Sequence, residues 1–210
     1  TMLLKINQLY FSHSPEKRLF HNFNLKVEAG KIIALAGESG CGKSTLINLL
    51  YGDRHDYDGE ILFDGQNIRS FNLTQWTTIR REKLAYVFQG LHLFEELTLM
   101  ENIQLKNSLT QHQSENQLVE WIEKVGLTSH LHQKAVHLSY GQRQRIAVIR
   151  ALCQPFEFLL LDEPFSHLDE NNQQVLIDLV IEEATKKNAG ILFTSLHKIN
   201  DKRLENVIQL

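Results

Sequence analysis

With 210 residues, 42% of them apolar and 22% charged, the chain has the composition of a soluble globular protein of one or two domains with a substantial core. A net charge of -3 supplies no basic excess to meet a phosphate backbone, which argues against a nucleic-acid partner. No apolar run is long enough for a membrane span, residues 1–6 lack the pattern of a secretory leader, and two cysteines make no disulfide framework.

Residues 3–11 and 20–27 read as two strands joined by a polar turn, and Ala29-Gly30 marks a further turn before the apolar run 32–36. The nine residues that follow, Gly37-Glu38-Ser39-Gly40-Cys41-Gly42-Lys43-Ser44-Thr45, match G-x-x-x-x-G-K-[ST] and lead into a second apolar run, 46–50. Strand, tight loop and helix are the context this phosphate-binding motif requires. Glycines let the backbone curl so that its N–H groups face phosphate oxygens at the positive end of the next helix. Lys43 is expected to reach the β- and γ-phosphates and the Ser44 hydroxyl to bind Mg2+. The chain is therefore expected to bind a nucleoside triphosphate. Cys41 lies inside the loop, so alkylating its thiol is expected to block nucleotide binding.

Gly59-Glu60-Ile61-Leu62-Phe63-Asp64-Gly65 reads as a short strand closed by the Asp64-Gly65 turn, and residues 84–88 as another strand. From 99 to 136 the composition becomes polar, Gln-rich and helical in period, with Leu118, Val119, Ile122 and Val125 assigned to one face of a helix over 115–125. This region is expected to be a small helical subdomain inserted in an α/β core. Ser129-His130-Leu131-His132 has no acidic or cysteine companions and reads as a solvated loop rather than a metal site. Ser139 is a capping residue for a helix running to Cys153; 156–161 is an apolar strand, 172–187 an amphipathic helix, 190–194 a strand and 206–210 a last short strand.

The apolar run Phe158-Leu159-Leu160-Leu161 ends in Asp162-Glu163. Acids at the carboxyl end of a buried strand, beside a phosphate loop, are placed for metal and water. Asp162 is expected to orient Mg2+ through water and Glu163 to polarise the attacking water.

Leu138-Ser139-Tyr140-Gly141-Gln142, followed by Arg143-Gln144-Arg145, resembles the signature of the ATP-binding cassette (ABC) ATPases, and the resemblance covers essentially the whole chain. Gln89 stands where that family has a metal- and water-sensing glutamine. Ser166-His167-Leu168-Asp169 is similar to the loop connecting two nucleotide sites, and His197 to the switch histidine that contacts the γ-phosphate. The resemblance implies an α/β fold: a P-loop NTPase core with a mostly parallel sheet, an N-terminal antiparallel β subdomain and a small inserted helical subdomain. It also implies a single nucleotide-binding domain over 1–210, with 1–90 and 138–210 as ATPase core and 91–137 as helical subdomain. ATP and Mg2+ are the implied cofactors. Two chains, identical or homologous, would pair head to tail, with Ser139 and Gly141 supplied in trans to the partner's nucleotide.

Two positions depart from the family pattern. Tyr140 replaces the first glycine of the signature pair. The residue expected to stack on adenine falls at His13, with Tyr10 and Phe11 as alternatives in a shifted register. The family also usually has a fuller segment after His197, so residues 203–210 read as a shortened equivalent and no carboxyl-terminal regulatory domain is expected. Residues 80–89, Leu93-Phe94-Glu95-Glu96-Leu97-Thr98 and Glu101-Asn102-Ile103 resemble the lipoprotein-release, macrolide-export and peptide-resistance branch. That branch implies an ATPase peripheral to the cytoplasmic face of the plasma (inner) membrane, paired with an integral-membrane permease whose coupling helix meets residues 91–94. An amino-acid importer subunit and a soluble ABC ATPase without a permease are the alternatives.

Overall fold

The computed structural model describes residues 2–14, 17–196, 201–204 and 206–210, without the side chains of residues 13, 14 and 17. Strands β1 (Leu3–Ser14) and β2 (Lys17–Glu28) form an antiparallel hairpin. Against β1 pairs β4 (Asp58–Phe63), followed by the two-residue β5 (Gln66–Asn67), giving the order β2-β1-β4-β5. Both hairpin strands run further than the apolar pattern suggests, because irregular pairing shifts that pattern. Leu4 and Ile6 are buried on even positions and Leu9 and Phe11 on odd ones, with the register shift and a left-handed Gln8 (φ 48°) between them.

The second sheet is parallel, in the order β6-β7-β8-β3-β9, from β3 (Ile32–Ala36), β6 (Leu84–Val87), β7 (Phe158–Leu161), β8 (Gly190–Ser195) and β9 (Val207–Gln209). Alternate residues of its strands face two different buried clusters. Ile33, Leu35, Phe158, Leu160 and Leu192 meet α1 (Lys43–Tyr51), α2 (Leu73–Glu82) and the antiparallel sheet. Ala34, Leu159, Leu161, Ile191 and Phe193 meet α3 (Leu99–Asn107), α4 (Glu115–Lys124), α5 (Tyr140–Leu152) and α6 (Glu170–Lys187). Burial on both faces is why the strands read as unbroken apolar runs. Each such Leu or Phe contributes roughly 1.5–3 kcal/mol relative to exposure.

Helix α2 has no counterpart in the sequence reading. Its signal is the reciprocal cap at its start, where Asn72 Oδ1 accepts from Gln75 N and Gln75 Oε1 accepts from Asn72 N, both at 2.9 Å. In α4 the buried stripe is Leu118, Trp121, Ile122 and Val125, while Val119 is exposed. The spacing i, i+3, i+4, i+7 selects Trp121 and sets Val119 about 100° off the stripe. Among the described residues, no helix is long and apolar enough to cross a membrane.

Candidate active site

All strands of the parallel sheet point the same way, so the segments following β3, β6 and β7 open on one edge. Those segments carry the phosphate loop, Gln89 and the Asp162-Glu163 pair. His197 follows β8 and lies outside the described residues. His13 lies in β1, and its side chain is likewise outside them. Phe11 is buried in the core and offers no free face to a base, while Tyr10 is exposed with its ring edge-on to His21 at 5.1 Å.

The phosphate loop ends at Gly42, the N-cap of α1, at φ 110°. A Cβ there would lie 2.9 Å from the Phe20 ring, so both conformation and packing exclude a side chain. Lys43 is buried, and its ammonium donates to the carbonyls of Gly37 (2.7 Å) and Glu38 (2.9 Å). Glu163 Oε1 stands 3.7 Å from Lys43 Nζ, and Cys41 Sγ is 3.9 Å away. Ser44 Oγ donates to Gln89 Oε1 at 3.5 Å, which joins the loop to the end of β6.

Thr194, a strand residue with no motif to single it out, holds the two acids. The pairing of Leu161 with Phe193 carries Thr194 alongside Asp162. Its hydroxyl donates to Asp162 Oδ1 (2.7 Å) and accepts the Glu163 N–H (2.8 Å). The Glu163 carbonyl accepts from Gln144 Nε2 (2.9 Å) and Ser166 Oγ (3.2 Å). Glu163 adopts φ 49°, a left-handed conformation uncommon outside glycine, and these bonds fix it on both sides. Beneath the pair, burial and the nearby Asp162 charge push the Tyr86 phenol far up, and it donates to Asn48 Oδ1 at 2.9 Å. Burial likewise pushes the Cys153 thiol up to about 12, leaving it an inert core group.

The segment 138–142 forms the start of α5. Ser139 is its N-cap, with Oγ accepting from Gln142 N, and Gln142 Oε1 accepts from Ser139 N at 2.8 Å. That second bond turns the Gln142 amide nitrogen to His130 Nε2, 2.9 Å away. His130 is therefore half-buried and bonded to the signature segment, whereas Ser129 and His132 of the same stretch are exposed, as a solvated loop requires. A Cβ on Gly141 would approach the His167 carbonyl to 3.0 Å, so the glycine lets α5 lie directly on the 166–169 loop. Leu138 is buried, and Ser139 and Tyr140 are exposed. Asp169 caps α6 by accepting from Asn172 N (2.8 Å), a bond that holds its carboxyl below the usual range.

The sequence pattern that defines the ABC transporter family matches residues 20–166. The chain belongs to the ABC transporter family. A lipoprotein-releasing system ATP-binding protein from Buchnera aphidicola subsp. Schizaphis graminum is 33% identical over 195 residues, 91% of this chain and 85% of that protein. An aliphatic sulfonates import ATP-binding protein from Bacillus cereus is 33% identical over 203 residues, 95% of this chain and 77% of that protein. The ATP-binding cassette MJ0796, solved as a dimer in a post-hydrolysis state bound to ADP and Pi, aligns with TM-score 0.84 at 26% identity, covering 99% of this chain and 94% of that one.

This ABC ATPase offers Ser44 hydroxyl, Gln89 amide oxygen and Asp162 carboxylate as hard oxygen donors at one sheet edge, the donor type that suits Mg2+. Among the described residues no cluster of three His, Cys, Asp or Glu could hold a metal by itself. A Mg2+ here fits the usual arrangement in which phosphate oxygens and water complete the shell.

Proposed function

We propose that this ABC ATPase is the Mg2+-dependent engine of an exporter of lipoprotein-release or macrolide-export type. The carrying observation is the convergence of Lys43, Ser44, Gln89 and Glu163 on one edge while Ser139 stands on an exposed helix end. Residues 37–45 cradle the triphosphate, and Lys43 exchanges weak carbonyl acceptors for phosphate oxyanions. Ser44, Gln89 and, through water, Asp162 would hold a Mg2+ that would supply charge neutralisation on the transferred phosphoryl group. Glu163 orients the attacking water and draws off its proton, and His197 contacts the γ-phosphate. His13 stacks on the base.

Two copies, or this chain and a homologue, pair head to tail. The 138–142 segment then completes the partner's site, and Ser166, His167, Leu168 and Asp169 connect the two. Residues 91–137 act as the helical unit that relays closure to a permease at the cytoplasmic face of the membrane. Leu91 is buried, Leu93 half-buried and both His92 and Phe94 exposed, Phe94 at 54%, so Phe94 is the exposed apolar group of the 91–94 stretch open to a coupling helix. The relative named for lipoprotein release favours the export branch. The sulfonate-import relative, equally identical, favours a second reading as an importer subunit.

Tagging the protein in its source cells, solubilising the membranes gently and identifying copurifying proteins tests both readings. A stoichiometric multi-pass protein is expected, with an export-type topology. An importer-type permease would replace the first reading by the second, and recovery of soluble partners alone would overturn both.

A further inference from the structure

Tyr140 occupies the middle of the 138–142 segment, yet its side chain turns back into its own chain. The phenol donates to the backbone carbonyl of Gln89 at 2.9 Å. Its ring lies 4.3 Å from the His167 ring, and the Arg143 guanidinium lies 5.7 Å from the ring centre. At the far end of the same helix, Arg150 donates to the carbonyls of His92 and Leu91, both at 2.6 Å. Helix α5 thus grips the segment after β6 at both ends.

The gripped segment is strained. Leu91 and His92 are consecutive non-glycine residues at φ 59° and 48°, a conformation that persists only where the surroundings impose it. The His92 ring stacks on Phe88 at 4.5 Å, and Arg150 holds the two carbonyls. On the side facing the phosphate loop, the Tyr140 hydroxyl fixes the Gln89 backbone while the Gln89 side chain receives Ser44 Oγ.

We propose that Tyr140 is a positioning residue. Its hydroxyl sets the Gln89 backbone so that the amide oxygen faces the metal position beside Ser44, and it couples that amide to the partner-facing end of α5. A glycine at this position could make neither contact. The inference rests on the Mg2+-ATP reading of the site and adds to it a side chain that acts through Gln89.

The test uses Tyr140→Phe in this 210-residue chain, which keeps the ring against His167 and removes one oxygen. ATP affinity is measured with Mg2+ and with EDTA, at protein concentrations low enough to keep the chain monomeric. Losing one neutral hydrogen bond is expected to lower the Mg2+ enhancement of affinity about threefold to tenfold. A general loss of stability would lower both affinities and leave their ratio unmoved. In a Gln89→Ala background the Phe substitution is expected to change the ratio no further. An unchanged ratio in Tyr140→Phe, or additive effects of the two substitutions, overturns the proposal. If the parent chain binds ATP with no Mg2+ enhancement, the metal role of Gln89 falls with it. Failure of the parent to bind ATP at all overturns the nucleotide reading itself.

Discussion

Lys43 is 4% exposed and held by the carbonyls of its own loop, whereas Ser139 and Tyr140 stand at an exposed helix end and Ser166, His167 and Asp169 are exposed beside them. The first region is finished within one chain: Lys43 and Asp162 are buried and bonded, and Glu163 is half-buried and held at the end of a core strand. The second has a finished backbone, with caps and close packing, but its Ser139, Ser166, His167 and Asp169 stand at the surface, and Tyr140 turns back to the core edge at Gln89. Damage to the first should therefore be large in a single subunit, whereas in the second a single subunit should show only the small effects of contacts made within its own chain, such as those of Tyr140 and Asp169.

The sharpest way to break this contrast is Lys43→Ala. The substitution removes the buried ammonium that would meet phosphate and strips Glu163 of its nearest positive charge. Two charge-assisted hydrogen bonds at about 1.5–3 kcal/mol each imply a loss of ATP affinity of about 100-fold or more. Isothermal titration on the isolated chain measures it, and retained affinity would refute the role assigned to Lys43. Glu163→Gln is the next largest effect. It keeps shape and hydrogen bonding but removes the base, so turnover should fall about 10²- to 10⁴-fold while ATP still binds. Light scattering should then show ATP-dependent doubling of mass, because the closed pair no longer consumes its ligand. A variant that turns over at the parent's rate assigns the base elsewhere.

Thr194→Val sharpens the comparison, since Thr194 touches no expected ligand and acts only by holding two groups that do. Valine has nearly the same shape but leaves Asp162 Oδ1 and the Glu163 N–H without their shared partner. Leaving buried polar groups unpaired costs about 1–3 kcal/mol of stability, read as a lower Tm. With Glu163 released from its fixed φ, kcat should drop about tenfold, and ATP affinity should fall far less. Equal losses in both would mean that Thr194 supports the whole loop rather than the acids.

The same two regions differ in how far the sequence reveals them. The phosphate loop, the apolar strand before Asp162 and the Ser139 cap are local patterns whose chemistry depends on neighbours along the chain, and the residues stand as the patterns predict. Thr194 and Arg150 act across strands or between a helix and a loop, so their roles appear only once register and packing are fixed. The capped start of α2 was readable from Asn72 and Gln75, but its exposed composition gives no strong apolar stripe. Val119 against Trp121 shows a further limit: several residues of a short window are apolar, and only the angular spacing separates the buried from the exposed. Tyr140 is conspicuous as a departure from a family pattern, while the direction of its side chain, back to Gln89 rather than outward, is a tertiary fact.

The smallest effect expected lies in the exposed region, at Asp169. Its carboxylate accepts from the Asn172 N–H at the first turn of α6, and that bond holds the group below the ordinary aspartate value of 3.8. A depressed carboxyl stabilises the fold fully above its unfolded pKa, and the contribution disappears as pH falls through the lower folded value. Asp169→Asn keeps an acceptor oxygen for the Asn172 N–H at the N-cap, so it removes the charge together with the exposed bond that Asp169 Oδ2 accepts from Asn172 Nδ2 at 2.7 Å. The Tm of Asp169→Asn should sit slightly below the parent's at neutral pH, and the gap should close as the parent protonates below about pH 4. A gap that widens on acidification would mean that this carboxyl is not stabilised by the helix start. Because the group is solvent-facing, the shift should also shrink with added salt, whereas the loss from Thr194→Val, which lies among buried groups, should not.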